Sequence, residues 1–225
     1  MVFVKLWLKW AFKWSAYQIL MGRYLDRIQP QLGRFDRKRV DSIIEQTWQN
    51  LEQMLPGAQL DQLKTLGNRQ NVFLAVVTLA AYRSFLETGV EKEYATELIS
   101  DVAWKVYLSW IPLPRLIARL VTRDPQEQMN FILRIFLRYP FSPPGYQREV
   151  WAEPDGYCTY WFRCAPYEYF KEHGSPEEVK FFNKTWCNFD WAVAQGMVER
   201  GHYERPHTLS AGDEVCDMKW YGRPS

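Results

Sequence analysis

Thiols and carboxylates that could do chemistry are concentrated in the last third of this chain. Cys187 and Asp190 are three residues apart in a helical pattern, and Asn183 lies one turn earlier, so all three share one helix face. Cysteine is a nucleophile only as the thiolate, which needs a nearby cation, base or helix amino terminus. Cys187 lies in the middle of the predicted helix, so a partner from elsewhere would be needed. The alternative is a small buried thiol beside a hydrogen-bonded Asp.

The other three cysteines are dispersed over the same region. Cys164 comes just before a short predicted helix, where the helix dipole favours a low thiol pKa. Cys216 alternates with its neighbours on the last predicted strand and so faces the opposite side of the sheet from them. Cys158 lies on a predicted hairpin and is interpreted as structural. No two cysteines have C-x-x-C spacing, so we predict free thiols, no metal site and a reducing, cytoplasmic compartment.

His207 and Asp213 are the remaining candidates for acid–base chemistry. His207 stands near the end of an extended segment, and Asp213 lies in the turn before the last strand. A single histidine in such a place is also often an ordinary surface or capping residue. The chain has no phosphate loop, dinucleotide fingerprint, metalloprotease helix or nucleophile elbow, so we expect neither nucleotide-driven nor serine-hydrolase chemistry, and no cofactor. Its 28 basic and 26 acidic residues nearly balance, so we expect no nucleic-acid partner.

Most of the chain that precedes these residues is predicted to be helical. Apolar residues at helical spacing predict helices through the first 140 residues, and a proline-rich turn over 139–145 marks a boundary. We therefore predict a helical part, 1–140, and a cysteine-bearing α+β part, 141–225, in one compact unit. The predicted helices cover residues 2–29, 36–55, 68–87, 91–109, 115–122 and 126–138.

The second part combines short strands with helices. Residues 148–153 and 157–163 are rich in β-branched and aromatic side chains and flank Pro154-Asp155-Gly156, which predicts a hairpin. A short helix over 166–172 and a longer one from Pro176 to about Met197 follow, and then extended segments over 198–208 and 214–220. The pattern indicates an α+β fold, in which the helical amino-terminal part covers a small antiparallel sheet with two helices.

The first predicted helix is basic and amphipathic. Lys5, Lys9 and Lys13 recur every four residues, which places them on one stripe. They interrupt the apolar run well before the roughly 20 residues that crossing a bilayer requires. The apolar residues either cover the core while the lysines face water, or lie on an anionic membrane surface; packing against the core is the ordinary condition of such a helix. The apolar residues in question are Phe3, Leu6, Trp7, Trp10, Trp14 and Tyr17.

Four motifs in the carboxy-terminal part resemble a known family. They are Arg163-Cys164-Ala165-Pro166-Tyr167, Phe170-Lys171-Glu172-His173-Gly174, Cys187-Asn188-Phe189-Asp190, and the run Thr208-Leu209-Ser210-Ala211-Gly212-Asp213-Glu214-Val215-Cys216-Asp217. Over about the last 65 residues the chain is similar to the L-2-amino-thiazoline-4-carboxylic acid hydrolase family, whose pattern has a Cys-Pro-Tyr turn, a Cys-x-x-Asp helix and a Thr-Leu-x-x-Gly-Asp-x-x-Cys-Asp ending. This chain departs from the pattern by inserting Ala165 in the first motif and by placing His207 before the last.

The resemblance implies hydrolytic opening of a small heterocycle at a cyclic amidine-like carbon. Cys187 would be the nucleophile or an orienting group, and Asp190 the general base. Cys164, Cys216, Asp213 and Asp217 would complete the pocket wall. Substrate contacts are expected from His207, Asn183, Tyr167, Trp186 and Trp191.

The aromatic content broadens the functional interpretation. Eleven Trp, thirteen Tyr and thirteen Phe suit an aromatic core or an apolar pocket. An enzyme of this family repurposed in biosynthesis, with a larger apolar substrate or a cyclisation, is therefore one hypothesis. A non-catalytic small-molecule-binding module is the alternative, because the closing pattern from Gly212 to Cys216 also resembles vinyl-reductase-like domains. In either case the expected partner is a small molecule; the sequence predicts no oligomeric state.

Overall fold

The computed structural model describes residues 2–24 and 32–223, and it has the α+β architecture that the sequence predicts. Among these described residues, six helices precede the sheet, and three more lie between its second and third strands. The helices are α1 (Val2–Leu20), α2 (Arg37–Met54), α3 (Leu66–Glu87), α4 (Lys92–Leu108), α5 (Pro112–Val121), α6 (Pro125–Arg138), α7 (Ala165–His173), α8 (Pro176–Thr185) and α9 (Phe189–Met197).

Side chains at the helix starts explain why several predicted starts lie within two residues of the observed ones. Helix α5 is an exception, because it begins at Pro112 and not at residue 115. Asp36 caps α2, Thr65 caps α3 and Asp124 caps α6, each by accepting a backbone N–H from three residues later. Ser175 and Glu178 form a reciprocal capping box at the start of α8. These are local signals, so the sequence carries them directly.

The prediction that the first helix continues to residue 29 is wrong, because α1 ends at Leu20. The chain returns onto the helix end, where the Ile19 carbonyl accepts the Gly33 N–H and the Leu20 carbonyl accepts the Phe35 N–H, at 3.0 and 3.1 Å. Gly33 packs so closely on Leu20 that a Cβ atom there would lie 2.2 Å from the Leu20 oxygen. Residues 25–29 of the predicted helix lie outside the described residues.

The predicted helix from Pro176 to Met197 is instead two helices, α8 and α9, joined by a 3-10 turn over Trp186–Asn188. The Thr185 hydroxyl donates to the Phe181 carbonyl at 2.8 Å, a contact that often bends helices. Arg205, from a distant segment, donates to the Cys187 carbonyl at 3.0 Å. Cys187 therefore lies in a turn between two helices and not in the middle of one.

A four-stranded antiparallel sheet forms in the order β1-β2-β4-β3. The predicted hairpin is confirmed, while the extended segment predicted over 198–208 forms a strand over only three residues. On β4 the alternation places Cys216, Met218 and Trp220 on the buried face, as predicted for Cys216. The strands are β1 (Arg148–Ala152), β2 (Tyr157–Trp161), β3 (His202–Glu204) and β4 (Cys216–Tyr221).

Two hydrophobic cores hold the fold together. The first joins α1–α4 to α7 and α8, and the second joins α6 and α9 to the sheet and to Trp104 of α4. An ion pair between Arg83 Nε and Glu178 Oε1, at 2.7 Å, ties α3 to α8. Helices from the carboxy-terminal part thus complete the first core, and helices from the amino-terminal part complete the second.

The orientation of α1 contradicts, for five of the six residues concerned, the prediction that its apolar stripe covers the core. Leu8, Phe12, Ile19 and Leu20 are buried, and Tyr17 is partly buried against the first core. The exposed residues are Phe3, Leu6, Trp7, Trp10 and Trp14. The lysine stripe lies beside the buried face, where Lys5 approaches the Phe73 ring at 5.7 Å and Lys9 approaches the Trp48 ring at 5.1 Å. Within residues 2–24 and 32–223, no helix combines the length and the apolar character that crossing a membrane requires.

Candidate active site

A cavity of about 130 Å³ lies between the two cores. Val77 and Phe182 of the first core line one side, and Phe136 and Met218 of the second core line the other. Apolar cavities of roughly 150 Å³ bind molecules as large as benzene. The volume is therefore close to that of a single small ring.

Four of the residues predicted from spacing meet at this cavity. Cys164, Cys187, Cys216 and Asp190 all line it, and Arg205 lines it beside them. They come from the start of α7, the 3-10 turn, β4 and the first turn of α9. The fold thus places three thiols, one carboxylate and one guanidinium against a mainly apolar wall.

Asp190 is held by two neighbours at the polar end of the cavity. Arg205 Nη1 lies 3.1 Å from Asp190 Oδ2, and the Tyr203 hydroxyl donates to the same oxygen at 3.4 Å. Burial raises the pKa of Asp190 to about 6, although Arg205 and Tyr203 act in the opposite direction. The guanidinium also stacks 4.7 Å from the Trp191 ring centroid, which fixes its position. Asp190 is therefore poised to exchange a proton near neutral pH.

A chain of hydroxyl groups connects two of the thiols. Ser210 Oγ lies 3.0 Å from Cys187 Sγ and 3.4 Å from Thr208 Oγ1, which in turn lies 3.3 Å from Cys216 Sγ. Asn183 donates to Ser210 Oγ at 2.8 Å, so the Ser210 proton is free to point at a neighbour. The turn that carries Ser210 ends at Gly212, whose φ of +105° suits glycine.

The three cavity thiols are protonated at neutral pH. Burial raises the pKa of Cys187 to about 12, despite the lowering influence of Ser210 and Arg205. Burial also raises the pKa of Cys216 and, by more, that of Cys164. The low pKa predicted for Cys164 from its place at a helix start is therefore wrong, because desolvation outweighs the backbone hydrogen bond from Tyr167.

Two further residues with polar groups, Tyr107 and Trp161, line the cavity. Trp161 Nε1 is buried and has no hydrogen-bond partner among the described residues. Burial raises the pKa of Tyr107, and the Asp190 charge raises it further, so the hydroxyl keeps its proton. Both groups can therefore donate a hydrogen bond to a molecule in the cavity.

Other predicted residues lie outside the cavity wall. His207 and Asp217 form an exposed pair, with Nδ1 and Oδ2 2.7 Å apart, and the pKa of His207 is raised by that hydrogen bond. Asp213 accepts the Thr208 N–H at 2.7 Å. These contacts hold the Thr208–Gly212 turn in place.

Of the residues expected to touch the substrate, some line the cavity and others contact the residues that line it. Trp186 lines the cavity, and its Nε1 donates to Thr78 at 3.3 Å. Asn183 supports the wall through Ser210, and Tyr167 packs 5.9 Å from the Phe182 ring. Trp191 lies under Arg205 and is partly exposed.

Arg205 and Tyr107 are the site residues that sequence reasoning missed. Arg205 lies just after β3, between an acidic residue and a proline, with no spacing that links it to Asp190. Tyr107 has ordinary apolar spacing near the end of α4 and resembles any core residue. Only the polar hydroxyl on an otherwise apolar helix face offered a signal for Tyr107.

No group of three or more metal-ligating residues occurs within residues 2–24 and 32–223. The chain matches no known protein-family model, no curated protein and no solved structure. The site must therefore be interpreted from its own geometry together with the motif resemblance.

Proposed function

We propose that this protein is an enzyme that hydrolyses a small cyclic amidine-like compound, with Asp190 as the general base. The observation that carries the proposal is the Asp190 carboxylate, which has a pKa of about 6 at the polar end of a ring-sized apolar cavity. A general base is most effective when its pKa lies near the working pH. At pH 7 most Asp190 side chains are ionised and can accept a proton.

In this proposal the attacking nucleophile is water and not the Cys187 thiol. The thiol of Cys187 has a pKa of about 12, so almost no thiolate exists at neutral pH. Arg205 lies beside Asp190 and keeps its carboxylate in place during proton transfer. The Tyr107 hydroxyl and Trp161 Nε1 supply hydrogen bonds that orient the polar atoms of the ring.

For a 2-aminothiazoline ring the reaction balances as follows. The water oxygen bonds to the carbon between nitrogen and sulfur, and Asp190 takes one water proton. The carbon–sulfur bond then breaks, and the sulfur takes that proton from Asp190 and becomes a thiol. The second water proton ends on the ring nitrogen, and a carbonyl group remains at the attacked carbon.

The test uses L-2-amino-thiazoline-4-carboxylic acid as the probe, with the product detected by mass spectrometry as the addition of one water. We expect Asp190→Asn to lower kcat/KM by roughly 100-fold or more, the usual contribution of a general base. Asp155→Asn, a matched change in the exposed hairpin turn, should leave turnover unchanged. For the wild type, kcat/KM should rise with pH through about 6 and then level off, because the base must be ionised.

Two results would contradict this function. Turnover by Asp190→Asn at the wild-type rate would remove Asp190 from the reaction. An absence of ring opening by the wild-type protein would reject this reaction class altogether.

The second candidate function is a non-catalytic small-molecule-binding module. It is favoured by the apolar wall and by the protonated state of all three cavity thiols. An apolar fluorescent probe that binds in the cavity, with no turnover of the thiazoline, would support this candidate.

A further inference from the structure

Helix α5 turns its apolar face toward water. Five apolar residues recur at the spacing of one helix face, and they are between 38% and 79% exposed. Such a stripe normally faces the core, and here only Ala118 is buried within the helix. The exposed residues are Leu113, Leu116, Ile117, Leu120 and Val121.

Helix α1 presents a second face of the same kind. Phe3 is 87% exposed, and Trp10 and Trp14 are 63% and 55% exposed. The Trp10 and Trp14 rings stack at 6.4 Å between centroids, which extends this apolar surface along the helix. Large exposed aromatic patches on a protein usually mark a binding surface.

The two exposed faces are adjacent. The Trp7 ring on α1 meets the Trp110 ring edge-on, with 5.1 Å between centroids, and Trp110 stands two residues before α5 begins. Trp110 also lines the cavity. The exposed apolar residues of α1 and α5, defined here as the docking surface, thus lie on two elements that the Trp7–Trp110 contact brings together.

The charges on these helices are of one sign. Helix α1 carries Lys5, Lys9 and Lys13, α5 carries Arg115 and Arg119, and neither helix contains Asp or Glu. The whole chain is close to neutral by contrast. Basic residues beside exposed Trp and Leu are typical of helices that lie in the headgroup region of anionic bilayers.

We propose that the docking surface binds an anionic lipid bilayer, with α1 and α5 lying in the interface. The charge complementarity selects this partner over a second copy of the chain, because two copies joined face to face would bring basic residues of like sign together. This inference does not depend on the proposed hydrolytic function.

The test measures the binding of the full-length protein to sedimented vesicles of phosphatidylcholine alone and of equal parts phosphatidylcholine and phosphatidylglycerol. We expect binding to the anionic vesicles, weakened by salt, and little binding to the neutral ones. Changing Leu116 and Leu120 together to Asp, or Trp10 and Trp14 together to Asp, should lower the partition coefficient by roughly tenfold or more. All four positions are exposed, so circular dichroism should show unchanged folding.

Two further variants separate charge from apolar contact. Leu86→Asp changes an exposed leucine near the far end of α3 and should leave vesicle binding unchanged. Lys13→Gln combined with Arg119→Gln should weaken binding to anionic vesicles by roughly 25-fold, at about fivefold for each basic residue near the surface.

The proposal is overturned if the folded wild-type protein fails to bind anionic vesicles. It is also overturned if Leu86→Asp weakens binding as much as the docking-surface variants do. A third contrary result is a wild-type dimer in sedimentation analysis that the Leu116/Leu120 variant dissociates while neither protein binds vesicles, because the surface would then join two copies.

Discussion

Replacing Asp190 with Asn should change how the stability of the fold depends on pH. Asp190 has a pKa of about 6 in the folded protein, against an ordinary value of 3.8. At 1.36 kcal/mol for each pKa unit, ionising this group in the folded state costs about 3 kcal/mol more than in the unfolded chain. Only 25% of the side chain is exposed, so water screens little of this cost.

The sign follows from proton linkage. Between about pH 4 and pH 6 the folded protein holds a proton on Asp190 and the unfolded chain has lost it, so the free energy of unfolding falls as pH rises. The stability from this group is fully present below pH 4 and is lost once pH passes about 6. Asn has no such proton, so the difference between wild type and Asp190→Asn should fall by about 3 kcal/mol across that window.

Urea denaturation of both proteins at a series of pH values measures this difference. The loss of the Arg205 contact shifts the difference as a whole, but it leaves the total change across the window set by the two Asp190 pKa values. Asp155→Asn controls for the removal of one negative charge from an exposed position. A difference between wild type and Asp190→Asn that stays constant from pH 4 to pH 7 would refute the raised pKa, and with it the reason for choosing Asp190 as the base.

Three further predictions concern the thiols, the cavity and the ion pair. Iodoacetamide at neutral pH should modify the cysteines of the folded protein slowly, because the Cys187 pKa is about 12; rapid labelling of Cys187, located by peptide mapping, would contradict this. Ala103→Phe should fill part of the cavity and lower the affinity for an apolar fluorescent probe by roughly tenfold, with folding checked by circular dichroism. Glu178→Ala leaves Arg83 partly buried without its carboxylate and should lower the free energy of unfolding by roughly 3 kcal/mol; an unchanged urea midpoint would show that the pair contributes nothing.

Features encoded by nearby residues could be predicted from the sequence. The starts of α2 and α8 follow from capping residues, and the hairpin follows from Pro154-Asp155-Gly156. The end of α1 could not be predicted, because its last carbonyls accept hydrogen bonds from Gly33 and Phe35, which lie much later in the chain. The break between α8 and α9 likewise depends in part on Arg205, which lies 18 positions beyond Cys187.

The orientation of α1 shows a second limit of sequence patterns. This helix has apolar residues on both faces, so periodicity alone does not say which face is buried. The helices that pack against α1 determine which face is buried. Leu8 and Phe12 pack against the α2–α4 bundle, whereas Trp10 and Trp14 remain exposed. Helix α5 has the regular amphipathic spacing of a packed helix and yet faces outward for the same reason.

The candidate site could likewise be predicted from the sequence only in part. The i to i+3 spacing of Cys187 and Asp190 indicated that they act together, and the alternation on β4 placed Cys216 on the buried face. Their electrostatic state depends on burial between two cores, which no local pattern records. The sequence left open whether Cys187 is a nucleophile or a small buried thiol, and it favoured a low pKa for Cys164. Desolvation keeps both thiols neutral and leaves the Asp190 carboxylate as the titrating group.

Trp110 belongs to two surfaces at once, since it lines the cavity and packs edge-on against the exposed Trp7 ring. If filling the cavity changes the packing of this pair, it also changes the free energy of any contact made through Trp7. Thermodynamic reciprocity then requires that such a contact change the free energy of filling the cavity by the same amount. Trp110 is the residue through which the interior and the outer surface would be coupled.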